Sequence, residues 1–149
     1  MTIEEAIKQK KPFRNQHQRA VVNLIFTTNQ IREKIKKALK PFGITLQQYN
    51  VLRILRGAGE PITTSVIRER LLDKMADTSR MVDRLFQKGL VNRAVCPSDK
   101  RLVDVSLSDK GFELLEQMNN INQELDTIIS EISSDEAALL NNLLDKIRG

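Results

Sequence analysis

The stretch from Ile62 to Leu107 constrains this chain most. It reads as a short helix, a tight turn, a second helix, and a β-hairpin with a basic tip. Thr63 or Thr64 opens the first helix, with Val66, Ile67 and Leu71 facing inward, and a turn follows near Leu72–Lys74. The second helix is expected from about Met75 to Lys88, closed by Gly89, with Thr78, Met81, Val82 and Leu85 on its inner stripe. Arg80, Arg84 and Lys88 recur at four-residue steps and should project together from another side. Val91/Arg93/Val95 and Val103/Val105/Leu107 alternate as strands do, joined by the exposed loop Pro97-Ser98-Asp99-Lys100-Arg101. Two crossed helices beside a basic hairpin suit duplex DNA. One helix fills the major groove while the hairpin reaches along the backbone or into the minor groove.

The flanks are helical. Residues 1–12 read as polar and frayed. A long helix is expected from about Phe13 to Lys40, with one apolar stripe through Val21, Leu24, Ile25, Thr28, Ile31, Ile35, Ala38 and Leu39. Pro41 and Gly43 end it. Thr45 can cap Leu46–Arg56, whose Tyr49, Leu52, Ile54 and Leu55 supply core, and Gly57–Pro61 reads as a turn. Ser108 should cap a last long helix in which Leu114, Met118, Ile121, Leu125, Ile128 and Ile132 alternate steps of four and three, the spacing of a coiled-coil seam. Ser133-x-x-Glu136 is a capping box opening a terminal helix with Ala137, Leu140, Leu143, Leu144 and Ile147. The seam could pack on the first long helix of its own chain or across a two-fold axis. A homodimer is favoured, since both ends carry long apolar faces with little else to cover. Val21, Leu24, Leu114, Met118, Ile121, Leu125, Ile128, Leu140, Leu143, Leu144 and Ile147 are its expected contacts.

Charge is polarised along the chain. The net charge is +5, yet no Lys or Arg lies between Gly111 and Asp145, where eight acidic residues stand. The remaining residues set 24 basic side chains against 11 acidic ones, a surplus of thirteen. Such a molecule would turn its basic side to a polyanion. The densest basic block is Met1–Lys40, however, and charge alone would equally allow RNA or an anionic membrane. Cys96 is the only cysteine and His17 the only histidine, so neither an intrachain disulfide nor a metal cluster is expected, and no cofactor. No phosphate-cradling glycine loop or catalytic assembly is visible, which argues against an enzyme. No run reaches the roughly 18 apolar residues of a membrane span, and no signal-peptide core is present; a reducing cytoplasm is the expected setting.

Met81-Val82-Asp83-Arg84-Leu85-Phe86-Gln87-Lys88-Gly89-Leu90-Val91-Asn92-Arg93, followed by Asp99-Lys100-Arg101, Val103, Val105, Leu107 and Gly111, resembles the MarR family of winged helix-turn-helix transcriptional regulators. The resemblance runs from about Thr45 to Gly111. It implies a mainly α fold with a small β-hairpin wing, in which a winged helix-turn-helix (residues 44–107) is flanked by dimerisation helices (1–43 and 108–149). It further implies a homodimer on palindromic duplex DNA. Met75–Arg80 would enter the major groove, Arg101 would reach the minor groove, and Asp99 would orient it. Thr63, Thr64 and Ser65 would lie near phosphates, and Lys74, Met75, Asp77, Ser79, Arg80, Arg84, Arg93 and Lys100 complete the expected DNA-facing set. A solvated helix charge, or a brace from Arg84 to Asp83 or Asp104, is the plainer reading of the arginines.

The sequence departs from the family at Leu72, where relatives carry a turn glycine, and at Lys74, where they carry a capping serine. Asp73 is a substitute cap. Asp77 is an acid in the base-reading stretch, able to accept from cytosine N4 or to pair with Arg80. Cys96 reads as a small half-buried residue at the base of the wing. The family also implies a small aromatic or phenolic ligand between the winged unit and the dimer helices. Phe13, His17, Arg19, Tyr49, Arg53 and Met75 are candidate walls for it. A protein-interaction module that has lost specific DNA binding is the alternative reading.

Overall fold

The computed structural model describes residues 1–149. Helix α1 (Ile3–Ala6) precedes the long α2 (Gln16–Leu39), and a 3₁₀ turn at Lys40–Phe42 leads into α3 (Leu46–Ala58). Then follow β1 (Ile62–Thr63), α4 (Thr64–Arg70), α5 (Thr78–Gln87), β2 (Val91–Val95) and β3 (Val103–Leu107). The chain closes with α6 (Asp109–Gln117), α7 (Ile121–Asp126) and α8 (Ser134–Arg148). No helix is long and apolar enough to cross a membrane.

The capping signals fold as the sequence predicts. Thr45, Ser108 and Ser133 each accept a hydrogen bond from the backbone N–H three residues on, and Gln48 and Glu136 return the bond to complete two capping boxes. Gly43, Gly59 and Gly89 take left-handed backbone, where α-helical chains end cheaply.

Helix α3 runs on through Gly57 and Ala58, where the sequence reads as a turn, and five larger expectations fail. Residues 1–12 are not frayed throughout: Thr2 and Glu5 form a capping box, Ile3 is buried, and Glu4 clasps Arg19 of α2 at 2.6 Å. The sheet has three strands in the order β1-β3-β2, because Ile62 and Thr63 pair with Val105 and Asp104. Two residues are too few to show a period. Strand alternation governs burial only at the hairpin's root. Val91 and Val105 are buried, whereas the paired Val95 and Val103 are exposed because the wing extends past the core. Cys96 is buried, not half-buried, and lies at the far end of β2; its Sγ contacts Ser98 Oγ at 3.2 Å.

The fifth correction is the largest. The expected long helix after Ser108 is broken into α6 and α7, with a turn at Met118–Asn120 and a 3₁₀ turn at Thr127–Ile129. Its apolar residues turn inward. α6 lies on α3, while α7 and the turn after it lie on α2. Met118 and Ile121 are buried in the chain's own core, Leu114 and Leu125 pack against it, and Ile128 and Ile132 are half-buried. These seam residues are therefore covered within one chain, the other of the two packings the spacing allowed. Of the remaining expected dimer contacts, Val21, Leu140, Leu143 and Ile147 are exposed, and Leu24 and Leu144 are half-buried.

A single cluster forms the core, joining Ala38 and Leu39 of α2, Val51, Leu52 and Leu55 of α3, Ile67, Val82, Leu85, Val105, Leu115 and Met118. Where the segment after α5 meets α6, the two backbones come close. A Cβ on Gly111 would stand 2.1 Å from the Leu90 carbonyl oxygen, so only glycine lets the two backbones meet. Ser108 Oγ donates to Gly89 O (2.6 Å) and Lys110 Nζ donates to Lys88 O (2.9 Å), which binds the end of α5 to the start of α6.

Candidate nucleic-acid interface

Helix α5 begins three residues later than its apolar pattern suggests. Asp77 is its N-cap, accepting from the Arg80 N–H at 3.1 Å, while Asp73 Oδ1 accepts from the Met75 N–H and shapes the turn before it. Two acids four residues apart can both end a turn, and sequence could not rank them. Asp77 thus spends one carboxylate oxygen on the backbone and forms no ion pair with Arg80. Lys74 and Met75 lie on this turn ahead of the helix. Lys74 Nζ donates to the carbonyls of Arg68 and Glu69, and Met75 is almost fully exposed.

Thr78, Met81, Val82 and Leu85 bury one face of α5. Ser79, Arg80 and Arg84 are exposed, and neither arginine has an acidic partner. Lys88 does not join them. Its Nζ donates to Gly43 O (2.7 Å) and to the buried Gln48 Oε1 (3.1 Å), tying the end of α5 to the start of α3. On α4, Thr63 spends its hydroxyl on the Val66 N–H as N-cap, Thr64 is half-buried and Ser65 is exposed.

The wing carries one preset cation. The Arg101 side chain is 90% exposed, yet its Nε and Nη2 each donate to Asp99 at 3.2 Å, and its backbone N–H donates to the same carboxylate at 3.0 Å. The fork is held while its outer edge stays free. The Arg101 guanidinium first, and its backbone N–H second, hold the Asp99 carboxyl below the usual range. Lys100 beside it is exposed.

Arg93 has a different position from the one expected. Asp83, rather than bracing Arg84, forms an ion pair with Arg93, whose guanidinium also stacks 4.0 Å over the Phe86 ring. One arginine on β2 thereby grips two residues of α5, three apart on one face, and fixes the wing against the helix. The Asp83/Phe86 spacing was the available signal for this brace. Also unanticipated is the tie from Arg68 Nε to Thr78 Oγ1 (3.5 Å), which joins α4 to the first turn of α5.

A family model described as "MarR family" matches residues 44–103. Over 130 residues the chain is 35% identical to the multiple antibiotic resistance protein MarR of Salmonella typhimurium, covering 83% of this chain and 88% of that protein. The chain belongs to the MarR family. Its members are transcription regulators, not enzymes, and this chain is a DNA-binding regulator. The transcriptional regulator PecS of Dickeya dadantii is 28% identical over 122 residues, covering 78% of this chain and 72% of PecS. Among solved structures, a mutant MarR from E. coli complexed with operator DNA superposes with a TM-score of 0.80 at 29% identity, covering 92% of this chain and 99% of that one.

Proposed function

We propose that this MarR-family chain represses transcription as a homodimer on palindromic operators, each winged unit reading one half-site. Residues 44–107 serve as the reader, and the flanks 1–43 and 108–149 serve association. One observation carries the reading: on α5 the exposed, unpaired Arg80 and Arg84 accompany a wing arginine, Arg101, already aimed by Asp99. Arginine forks left free on a helix face suit base edges and phosphates, and a preset fork loses little freedom on binding. Ser79, Met75, Ser65 and Lys100 are the further exposed groups offered to duplex DNA. Two readers must stand about 34 Å apart, one duplex turn. A small aromatic or phenolic ligand that favours another spacing would release the operator by shifting the population. The alternative, a module without DNA binding, drew on Asp77 as an acid in the reading stretch; its use as a helix cap supplies a plainer reason for it.

The test begins with duplexes selected from a random pool, followed by anisotropy titrations on single-base variants. Arg101→Ala should weaken binding on every duplex and reduce the salt slope by about one. Arg80→Ala should cost on the order of 1–3 kcal/mol at particular base pairs and little at others. Equal losses on all sequences from both changes would refute specific readout.

A further inference from the structure

Leu72-Asp73-Lys74-Met75 lie on the turn between α4 and α5, and their polarity is the reverse of an ordinary surface turn. The charged pair is spent on the protein itself. Asp73 accepts from the Met75 N–H with one carboxylate oxygen (3.0 Å) and from Gln47 Nε2 of α3 with the other (3.1 Å). Lys74 Nζ donates to the Arg68 and Glu69 carbonyls at the end of α4. The Ala76 N–H closes the turn on Asp73 O at 3.3 Å. The apolar pair, by contrast, stands in water: Leu72 is 81% exposed and Met75 93%.

One exposed apolar residue is normal and needs no partner. Two on a single turn, whose charged residues are tied inward, make an apolar edge held in place. Its position limits what it can meet. Met75 stands just ahead of Asp77, the cap of α5, and the exposed Ser79 and Arg80 follow in the first turn of the helix. The edge therefore continues the surface that this DNA-binding regulator offers to bases. In the major groove, the apolar group a base pair presents is the thymine C5-methyl.

We propose that Leu72 and Met75 are specificity-determining residues that read thymine, covering C5-methyl groups beside the bases read by Ser79 and Arg80. The proposal rests on the functional reading above and adds to it an apolar preference for one base. Methionine suits the role, because its unbranched, polarizable side chain adapts to the surface it covers. The bonds of Asp73 and Lys74 hold the turn before DNA arrives, so little ordering cost offsets the contact.

The test uses the full chain and a duplex selected from a random pool, with each thymine replaced in turn by deoxyuridine. Uracil keeps the base pair and the O4 acceptor and lacks only the methyl. At thymines under the edge the replacement should weaken binding about fourfold for each methyl lost, and elsewhere affinity should hold. The double variant Leu72→Ala/Met75→Ala should bind thymine and deoxyuridine duplexes alike while keeping the base preferences that Arg80 supplies. Met75→Leu should retain the discrimination. Both side chains are exposed, so the unfolding midpoint should stay put in every variant, which separates reading from folding. A specifically bound duplex with no deoxyuridine-sensitive thymine would overturn the proposal and leave the functional reading standing, as would a sensitivity that survives in the double variant. A chain that prefers no duplex over another would overturn that reading, and this proposal with it.

Discussion

The winged unit and the terminal helix α8 are made of similar residues and meet opposite fates. Leu52, Leu85 and Val105 of the winged unit have no accessible surface at all. α8 contains no buried residue, and Leu139, Leu143 and Ile147 are 59%, 52% and 68% exposed. Each such side chain is worth roughly 1.5–3 kcal/mol when fully buried. The reader is finished within one chain, whereas α8 presents an apolar face with nothing on it. Val21 and Ile25 on the outer half of α2 share that condition. An apolar face left open beside a completed core marks where association would contribute most.

Breaking that face should have the largest effect. Leu143→Glu places a charge in the middle of the exposed stripe and touches no core residue. Under the homodimer proposal, sedimentation should show a dimer for the unaltered chain and a folded monomer for the variant. Operator affinity should then fall about 10²–10⁴-fold, since a second half-site no longer adds its effective concentration. A monomeric unaltered chain, or a dimeric variant, would remove the contrast between the two regions.

Two glycines sharpen the same contrast from the finished side. Gly111→Ala drives a methyl into the Leu90 carbonyl at 2.1 Å and presses on Leu107, so urea unfolding should show a loss of about 1–3 kcal/mol or more. Gly57, in α3, has no neighbour within 4 Å of an added Cβ. Gly57→Ala should therefore stabilise, by about 0.5–1 kcal/mol. If the two changes had similar effects, the joint between α5 and α6 would not be the close approach described.

The finished region was also the legible one. Caps, inner stripes and the hairpin are local signals, and Thr45, Ser108, Thr78 and Leu85 behave as their spacing dictates. What sequence left open depends on distant partners. The four-three spacing from Leu114 to Ile132 suits a coiled coil and equally suits packing on α2 and α3; neither glycine nor proline announces the break at Met118–Asn120. The Arg93 brace and the tie from Lys88 to Gly43 and Gln48 each require segments that meet only in the fold. The capping box at Thr2 and Glu5 was visible as Thr-x-x-Glu, but it lies in a polar stretch without the apolar run that usually follows one.

A smaller effect tests where the reading helix begins. Asp77→Ala removes the N-cap of α5 and should cost about 1 kcal/mol in unfolding, whereas Asp77→Asn or Asp77→Ser should retain most of that stability. Specificity separates the two roles of this acid. A cap alone predicts that Asp77→Asn leaves base preference unchanged, and a switched preference at one base pair would assign the second carboxylate oxygen to DNA.

The smallest effect belongs to the amino-terminal clasp. The Arg19 side chain, foremost among several hydrogen-bonding groups, holds the Glu4 carboxyl at about 2, against an ordinary value of 4.5. A carboxyl lowered on folding favours the folded state most when ionised. Its contribution is whole above about pH 4.5 and fades as pH falls towards 2. Both side chains are more than a third exposed or close to it, so solvent and salt screen the pair and its worth is modest. Glu5 is lowered in the same direction by the Thr2 backbone N–H. A global melt would mix these groups with Asp99 and Glu136, which are also lowered. Hydrogen exchange at the Ile7 amide, bonded to Ile3 O within the α1 turn, isolates the clasp. Protection there should decline between pH 4.5 and 2, high salt should shrink the decline, and Glu4→Gln should flatten most of it while sparing amides in α3. An Ile7 profile identical in the variant would mean that packing of Ile3, and not the ion pair, seats α1 on α2.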